Sequence, residues 1–204
     1  MVKTNHRKAN KKPRHFLHMD LTQLRDLPDN IEHIKIQDVP EVALGEAEWE
    51  RLQTLTRLQI LKTTQPHSYT LYELLQHCTS LAQLEMSVDM PEACLPALPT
   101  TLTHLECGMD AACLTALATL PLRHLYFQSS PYFKEFKPSN DFWKSISFLE
   151  SLQLTSSRLP DVLKDALSAL PNLTALYLMS DTCFSFPTSW HQLTHLTLRT
   201  FTNE

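Results

Sequence analysis

Apolar residues recur along the chain in a fixed pattern: an apolar residue, two variable residues, an apolar residue, one variable residue and another apolar residue. We call this six-residue pattern the strand motif and number its positions 1 to 6. Its eight copies begin at Ile31, Leu55, Leu81, Leu102, Leu122, Leu149, Leu173 and Leu193. Successive starts are 24, 26, 21, 20, 27, 24 and 20 residues apart. This recurrence indicates one structural unit that is used eight times.

The strand motif predicts extended backbone with one apolar and one polar face. Successive side chains of a strand point to opposite faces, so positions 4 and 6 share one face while positions 3 and 5 share the other. In the copy that begins at Leu102, these pairs are Leu105 with Cys107 and His104 with Glu106. One copy cannot bury its apolar face alone, but stacked copies form a continuous core. We therefore expect about eight parallel strands with a common polar face.

The segments between the motifs predict short helices. Apolar residues have helical spacing in "YTLYELLQHCTS" after Ser68, "DAACLTALATL" from Asp110 and "PDVLKDALSALP" from Pro160. Prolines lie one to three residues before the next motif, where a helix must end, at Pro28, Pro99, Pro121 and Pro171. We expect helices in at least the units that begin at Leu55, Leu102 and Leu149.

The motif and its spacing resemble the leucine-rich-repeat family over residues 31–204. The resemblance implies an α/β leucine-rich-repeat solenoid (horseshoe) with about eight parallel concave strands and with short helices and irregular segments mixed on the convex side. The segment 16–30, which contains "FLHMDL", fits an N-terminal cap. The asparagine typical of the family is replaced at all eight positions, namely Val39, Thr63, Asp89, Asp110, Ser130, Ser157, Asp181 and Phe201. We expect a looser hydrogen-bond ladder within the same fold.

Long helical units mixed with a short unit such as "LPALPTTLTHLECG" resemble the leucine-rich-repeat effectors that pathogenic bacteria inject into host cells. The resemblance implies a cytoplasmic protein that is secreted into the host cytosol and binds another effector or a host protein. Some of these effectors carry a C-terminal ubiquitin ligase domain, and we expect none within these 204 residues, because only a few residues follow the eighth motif. Two hypotheses follow: a non-enzymatic protein-protein interaction module, or the substrate-recognition part of a larger enzyme such as a ubiquitin ligase.

Composition excludes several other classes of function. Two glycines leave no glycine-rich phosphate loop, and no apolar run approaches the length of a membrane span. Five cysteines without CxxC spacing favour reduced core residues over a disulfide framework or zinc site. Residues 1–15 carry six basic and no acidic residues, whereas the remainder has a net charge of −10. We interpret 1–15 as a disordered tail and expect no cofactor, no nucleic acid and no membrane span.

The polar face should present two columns of side chains, from motif positions 3 and 5. The first is His33, Arg57, Gln83, His104, His124, Ser151, Ala175 and His195, and the second is Lys35, Gln59, Glu85, Glu106, Tyr126, Gln153, Tyr177 and Thr197. Tyrosines on such a face are typical of binding hot spots, and also occur as ordinary strand residues. Our candidate partner-binding residues are Arg57, Glu85, His104, Glu106, His124, Tyr126, Tyr132, Phe133, Gln153, Tyr177 and His195.

Two of these candidates, Tyr132 and Phe133, lie outside the columns, in one long insertion between two motifs. "SSPYFKEFKPSNDFW", residues 129–143, places Tyr132 and Phe133 where a short turn would suffice. Aromatics in such a loop, including Phe136, can contact a partner at the rim, and the equally open alternative is that Phe136, Phe142 and Trp143 cover the core. We predict partner contacts for Tyr132 and Phe133.

Metal binding and catalysis have weaker support in the sequence. His104 and His124 should lie on adjacent strands, where Glu85 or Glu106 could complete a metal site, but histidine is also an ordinary polar residue on an exposed strand. Cys107 follows Glu106, yet its inward position favours packing over nucleophilic attack. We therefore predict no metal site, no catalytic residue and no enzyme activity.

Overall fold

The computed structural model describes residues 15–19, 32–36, 39, 44–60, 66–109, 113–128, 139–155, 169–180 and 192–200. Within these ranges the chain forms a nine-stranded parallel sheet. The strands are β1 (His15–Met19), β2 (His33–Ile36), β3 (Arg57–Ile60), β4 (Gln83–Asp89), β5 (His104–Gly108), β6 (His124–Gln128), β7 (Ser151–Thr155), β8 (Ala175–Ser180) and β9 (His195–Thr200). Their order in the sheet is their order in the chain, so each strand pairs with the next one.

The eight predicted motifs coincide with strands β2 to β9, and their parallel pairing is confirmed. Each strand begins at motif position 3, as in β5 at His104 and β6 at His124. Strand β1 falls on the "FLHMDL" segment and pairs in parallel with β2. The chain is therefore an α/β protein built on one open parallel sheet.

Short helices connect the strands in the part of the chain that the structure describes. They are α1 (Glu46–Leu52), α2 (Ser68–His77), α3 (Leu114–Leu117), α4 (Asn140–Ser145) and a 3-10 helix at Glu92–Ala97. The helix predicted after Leu55 is confirmed by α2, and the helix predicted after Leu102 corresponds to the single turn of α3. The helix predicted from Pro160 falls mostly on residues outside the described ranges.

Helix α2 has local causes that can be read from the sequence. The His67 side chain accepts a hydrogen bond from the backbone N–H of Thr70 and caps the N-terminus. Leu71, Leu74 and Leu75 recur at helical spacing and are fully buried in the hydrophobic core. Trp49 of α1 stacks on His77 at 4.8 Å between ring centroids, so the two helices pack side by side.

Motif positions 1, 4 and 6 form the core. Leu102, Leu105 and Cys107 of one copy are 0%, 0% and 1% exposed, and the described copies before and after it follow the same pattern as far as β8. On β9 the corresponding side chains Leu196 and Leu198 are 46% and 48% exposed. The last strand therefore presents its apolar face to solvent within the described structure.

A ladder of hydrogen bonds joins the strands at their N-terminal ends. The carbonyl oxygen at motif position 2 accepts backbone N–H groups from positions 2 and 3 of the next copy, as Ala82 does from Thr103 and His104 at 2.9 and 3.0 Å. At four joints a threonine hydroxyl also donates to that carbonyl: Thr56 to Glu32, Thr103 to Ala82, Thr174 to Glu150 and Thr194 to Thr174. We call these four bonds the threonine ladder. The threonine ladder adds side-chain hydrogen bonds at motif position 2, and not at the asparagine position that the family resemblance predicts.

Two of the eight positions at which the family resemblance predicts asparagine, Val39 and Asp89, lie in the described residues, and their surroundings differ. Val39 is buried at 1% exposure, and its carbonyl oxygen accepts a hydrogen bond from the His67 N–H at 2.9 Å. Asp89 lies beside Gly108 of the next strand, where an added Cβ would come within 3.2 Å of the Asp89 Cα atom and collide with its side chain. A larger residue at 108 would therefore require the Asp89 side chain to move and its backbone to shift by a few tenths of an ångström, whereas glycine fits without either change. The other six predicted positions lie outside the described residues.

Candidate functional site

The strand register places the two predicted columns on one face of the sheet. The first column is aligned from His33 through Arg57, Gln83, His104, His124, Ser151 and Ala175 to His195. The second is aligned from Lys35 through Gln59, Glu85, Glu106, Tyr126, Gln153 and Tyr177 to Thr197. Nine of our eleven candidate residues therefore share one continuous surface, which we call the column face.

An ion pair occupies the N-terminal half of the column face. The Arg57 Nη2 atom donates to the Glu85 Oε1 atom at 2.5 Å, across strands β3 and β4. The Gln59 amide nitrogen donates to the other oxygen of the same carboxylate. Both oxygens of Glu85 are thus satisfied, and its charge is matched by Arg57.

Two histidines lie side by side in the middle of the first column. The rings of His104 and His124 are 5.5 Å apart between centroids and tilted by 38°. Burial lowers the pKa of His104 below its ordinary value of 6.5, and the neighbouring His124 and Arg57 act in the same direction against an opposing effect of Glu85. His104 is therefore neutral at pH 7.

Glu106 lies next to Glu85 in the second column and has a different environment. The side chain has no hydrogen-bond or ion-pair partner within the described ranges, and it is partly buried. Burial, together with the Glu85 carboxylate, raises the pKa of Glu106 above its ordinary value of 4.5. The face thus holds one matched and one unmatched carboxylate on adjacent strands.

Aromatic side chains follow Glu106 along the second column. Tyr126 pairs with Glu106 in the register, and Gln153 separates it from Tyr177. Tyr126 is partly buried, whereas Tyr177 is 36% exposed. Gln153 and Tyr177 also line a shallow pocket of about 310 Å³ with Leu178, Met179, Thr197 and Arg199. This half of the face combines an unmatched acid with two rings and a small recess.

The remaining candidates are dispersed. His195 is exposed on β9, where Thr194 lies 2.9 Å from its Nδ1 atom, far along the sheet from His104 and His124. Tyr132 and Phe133 lie outside the described residues, so their predicted contacts stay predictions. Phe142 and Trp143 of α4 are 6% and 1% exposed, which confirms that these two aromatics cover the core.

The thiols and the histidine pair limit the chemistry of the described surface. Cys78, Cys94, Cys107 and Cys113 are buried, and burial raises the pKa of Cys107 well above 9.0 and that of Cys78 to about 12. A thiol in this state is a poor nucleophile. Within the described residues, no three His, Cys, Asp or Glu side chains are placed to hold a metal ion. What the column face offers is hydrogen bonding, charge and aromatic surface.

A second surface, which was not predicted from the sequence, lies at the N-terminal ends of β6, β7 and β8. A groove of about 570 Å³ is lined there by Pro121, Arg123, Phe148, Glu150, Asn172 and Thr174. Phe148 is 68% exposed, and Arg123 pairs with Glu150 at 2.5 Å. The available signal was the aromatic residue immediately before motif position 1, where the other seven copies carry a polar residue or proline.

Comparison with known proteins adds no relative. No protein-family model matches this chain, and no curated protein matches it either. The described residues contain no helix that is long and apolar enough to cross a membrane.

Proposed function

We propose that this chain is a non-enzymatic protein-binding module that holds one protein partner on the column face. The observation that carries the proposal is the register of β2 to β9, which aligns polar and aromatic side chains over eight strands. A hydrogen-bonded sheet holds these side chains at fixed spacing, so little conformational entropy is lost on binding. Tyr126 and Tyr177 supply the residue type that dominates binding hot spots.

We further propose that the sheet belongs to a leucine-rich-repeat solenoid with the column face on its concave side. Support comes from the 20 to 27-residue spacing of the motifs and from parallel strands that pair in chain order. The threonine ladder supports it as well, because it links consecutive units at one equivalent position. The resemblance to bacterial effectors extends the proposal to delivery into a host cell and to a partner that is a host protein or another effector.

A binding role is favoured over a catalytic one by the residues that the column face presents. The described thiols are buried, and the two central imidazoles lie 5.5 Å apart with no serine, threonine or cysteine at the column positions of β4, β5 and β6, where the phenol of Tyr126 is the hydroxyl that the columns present. Acid–base catalysis needs a proton donor or acceptor within hydrogen-bond reach of a nucleophile or substrate. The face offers recognition groups instead.

The test begins with capture of the partner by the full chain and its identification by mass spectrometry, followed by calorimetric titration with purified variants. Tyr126→Ala should weaken binding by about 2 kcal/mol, roughly thirtyfold, because truncation of a hot-spot ring removes its buried contact. Tyr69→Ala is the matched control, since Tyr69 lies on α2 and is 68% exposed. The Tyr69→Ala variant should bind the partner with the same affinity as the unchanged chain.

Three outcomes separate the surfaces. Loss with Tyr126→Ala alone supports the column face. Loss with Phe133→Ala alone moves the site to the 129–143 insertion, and loss with Phe148→Ala alone moves it to the groove beside β6 to β8. Because Tyr126 is partly buried, circular dichroism melting must first show that Tyr126→Ala is folded.

A further inference from the structure

The column face contains one carboxylate whose charge is unmatched. Glu85 is paired with Arg57 and hydrogen-bonded by Gln59, whereas Glu106 on the next strand has no such partner among the described residues. Partial burial reduces the hydration of the Glu106 carboxylate and therefore destabilises its charged form in the free chain. A cation from outside the chain would offset that cost.

The surroundings of Glu106 define the shape of that cation. Tyr126 of β6 lies directly beside it in the register, and Glu85 of β4 lies on its other side. The tyrosine ring offers a π face, and the carboxylate offers two acceptor oxygens. A guanidinium group is planar, donates to a carboxylate through two parallel N–H groups and stacks on aromatic rings, so arginine fits better than lysine.

We propose that the partner inserts an arginine side chain between Glu106 and Tyr126 on the column face. This rests on the proposed function, because it names the chemistry of the partner segment that docks on that face. The occupant is argued from charge complementarity: Glu106 supplies a negative charge that Arg57 does not neutralise.

Two titratable groups of β5 give the interaction a pH dependence. His104 lies two residues before Glu106 on the same face of that strand, beside His124 of β6, and protonation of the His104 imidazole adds a positive charge near the proposed cation. Protonation of Glu106 removes the attracting charge, while Glu85 stays engaged with Arg57. All of these changes act in the same sense, so affinity should fall as the pH is lowered from about 7.5 to 5.

Peptide selection tests the proposal without knowledge of the partner. The probe is a library of random peptides displayed on phage, selected against the immobilised full chain at pH 7.5. Selected peptides should be enriched in arginine, and replacing that arginine by alanine should weaken binding about tenfold. Against the Glu106→Gln variant the same replacement should change affinity less than about twofold, since the carboxylate that couples to it is gone.

Charge reversal gives the sharper comparison. Glu106→Lys should select peptides rich in aspartate and glutamate, whereas Glu50→Lys, the same charge change at an exposed position of α1, should still select arginine. Peptides that lose binding with Tyr126→Ala but show no arginine coupled to Glu106 would overturn this inference and leave the proposed function standing. Peptides that depend on Phe148 and on no residue of the column face would overturn both.

Discussion

The hydroxyl of Thr103 donates a hydrogen bond to the carbonyl oxygen of Ala82 at 3.2 Å, one strand back in the sheet. The same carbonyl already accepts the backbone N–H groups of Thr103 and His104. The side chain thus reinforces a joint that the backbone has formed, and the threonine ladder repeats this arrangement at four joints. Substitution of the threonine can separate the contribution of its hydroxyl to the free energy of unfolding from that of the backbone hydrogen bonds.

Thr103→Val should lower the free energy of unfolding by about 0.5 to 1 kcal/mol, the net contribution of one neutral hydrogen bond. Valine keeps the branched shape and the strand preference of threonine, so the loss reports the hydroxyl. Thr197→Val is the control, because Thr197 lies at motif position 5 on the polar face rather than in the ladder. Urea denaturation measures both, and equal losses would contradict a specific role for the ladder.

Core truncation should separate buried from exposed motif positions. Leu105→Ala or Leu176→Ala should cost about 2 to 5 kcal/mol, because each leucine is fully buried and leaves a cavity. Leu198→Ala should cost less, since its side chain is 48% exposed at motif position 6 of the last strand. Gln153→Ala on the polar face should cost little. Denaturant unfolding of the four variants checks this order, which a loss at Gln153 as large as that at Leu105 would contradict.

The strands, the columns and the core could be predicted from the sequence because they depend on a local pattern. Positions 4 and 6 of the motif are apolar in every copy, so alternation alone assigns Leu105 inward and His104 outward. The threonine ladder was not predicted, although Thr56, Thr103, Thr174 and Thr194 were visible at motif position 2. Its bonds depend on which carbonyl of the neighbouring strand lies within reach, and that follows from the register.

The candidate site was predicted as a surface but not as a set of interactions. The columns placed Arg57, Glu85 and Glu106 together, yet only side-chain conformations decide that Arg57 pairs with Glu85 and leaves Glu106 unmatched. Phe148 was missed because it stands in a turn, where no periodicity tells whether a side chain faces the core or solvent. Trp143 is different, because it lies with Phe142 on the buried face of helix α4.

Glu106→Gln should stabilise the chain at about pH 7 and have no effect near pH 4. The raised pKa of Glu106 means that the folded chain binds its proton more tightly than the unfolded chain, so the associated stability is complete below about 4.5 and is lost as the pH rises through the raised pKa. Glutamine keeps the shape without the charge. Thermal melts at both pH values measure the difference.

The control for net charge is Glu50→Gln, an exposed carboxylate on α1. A gain at pH 7 that is the same for both variants would show that total charge, rather than the desolvated carboxylate beside Glu85, limits stability. Protonation of His104 destabilises every variant alike below pH 6.5, because its lowered pKa makes the unfolded chain bind the proton more tightly. The comparison between variants removes this shared effect.

The described cysteines should resist alkylation in the folded chain. Burial raises the pKa of Cys78 to about 12 and that of Cys94 to about 11, so neither carries appreciable thiolate at pH 8. Iodoacetamide should leave Cys78, Cys94, Cys107 and Cys113 unmodified in the native protein and label all four after unfolding in guanidinium. Peptide mass mapping reads each site separately. Rapid native labelling of Cys107 would place its thiol at a solvent-accessible position and contradict the core assignment.

Strands that pair in chain order give the column face an unusual freedom to change length. Duplication or deletion of one complete unit, from one motif start to the next, adds or removes a single row of both columns and changes the pairing only of the strands that flank it. Insertion of one residue inside a strand has the opposite effect, because it turns that strand's apolar residues toward solvent. Genetic exchange of whole units would therefore diversify the recognition surface row by row while the underlying scaffold persists.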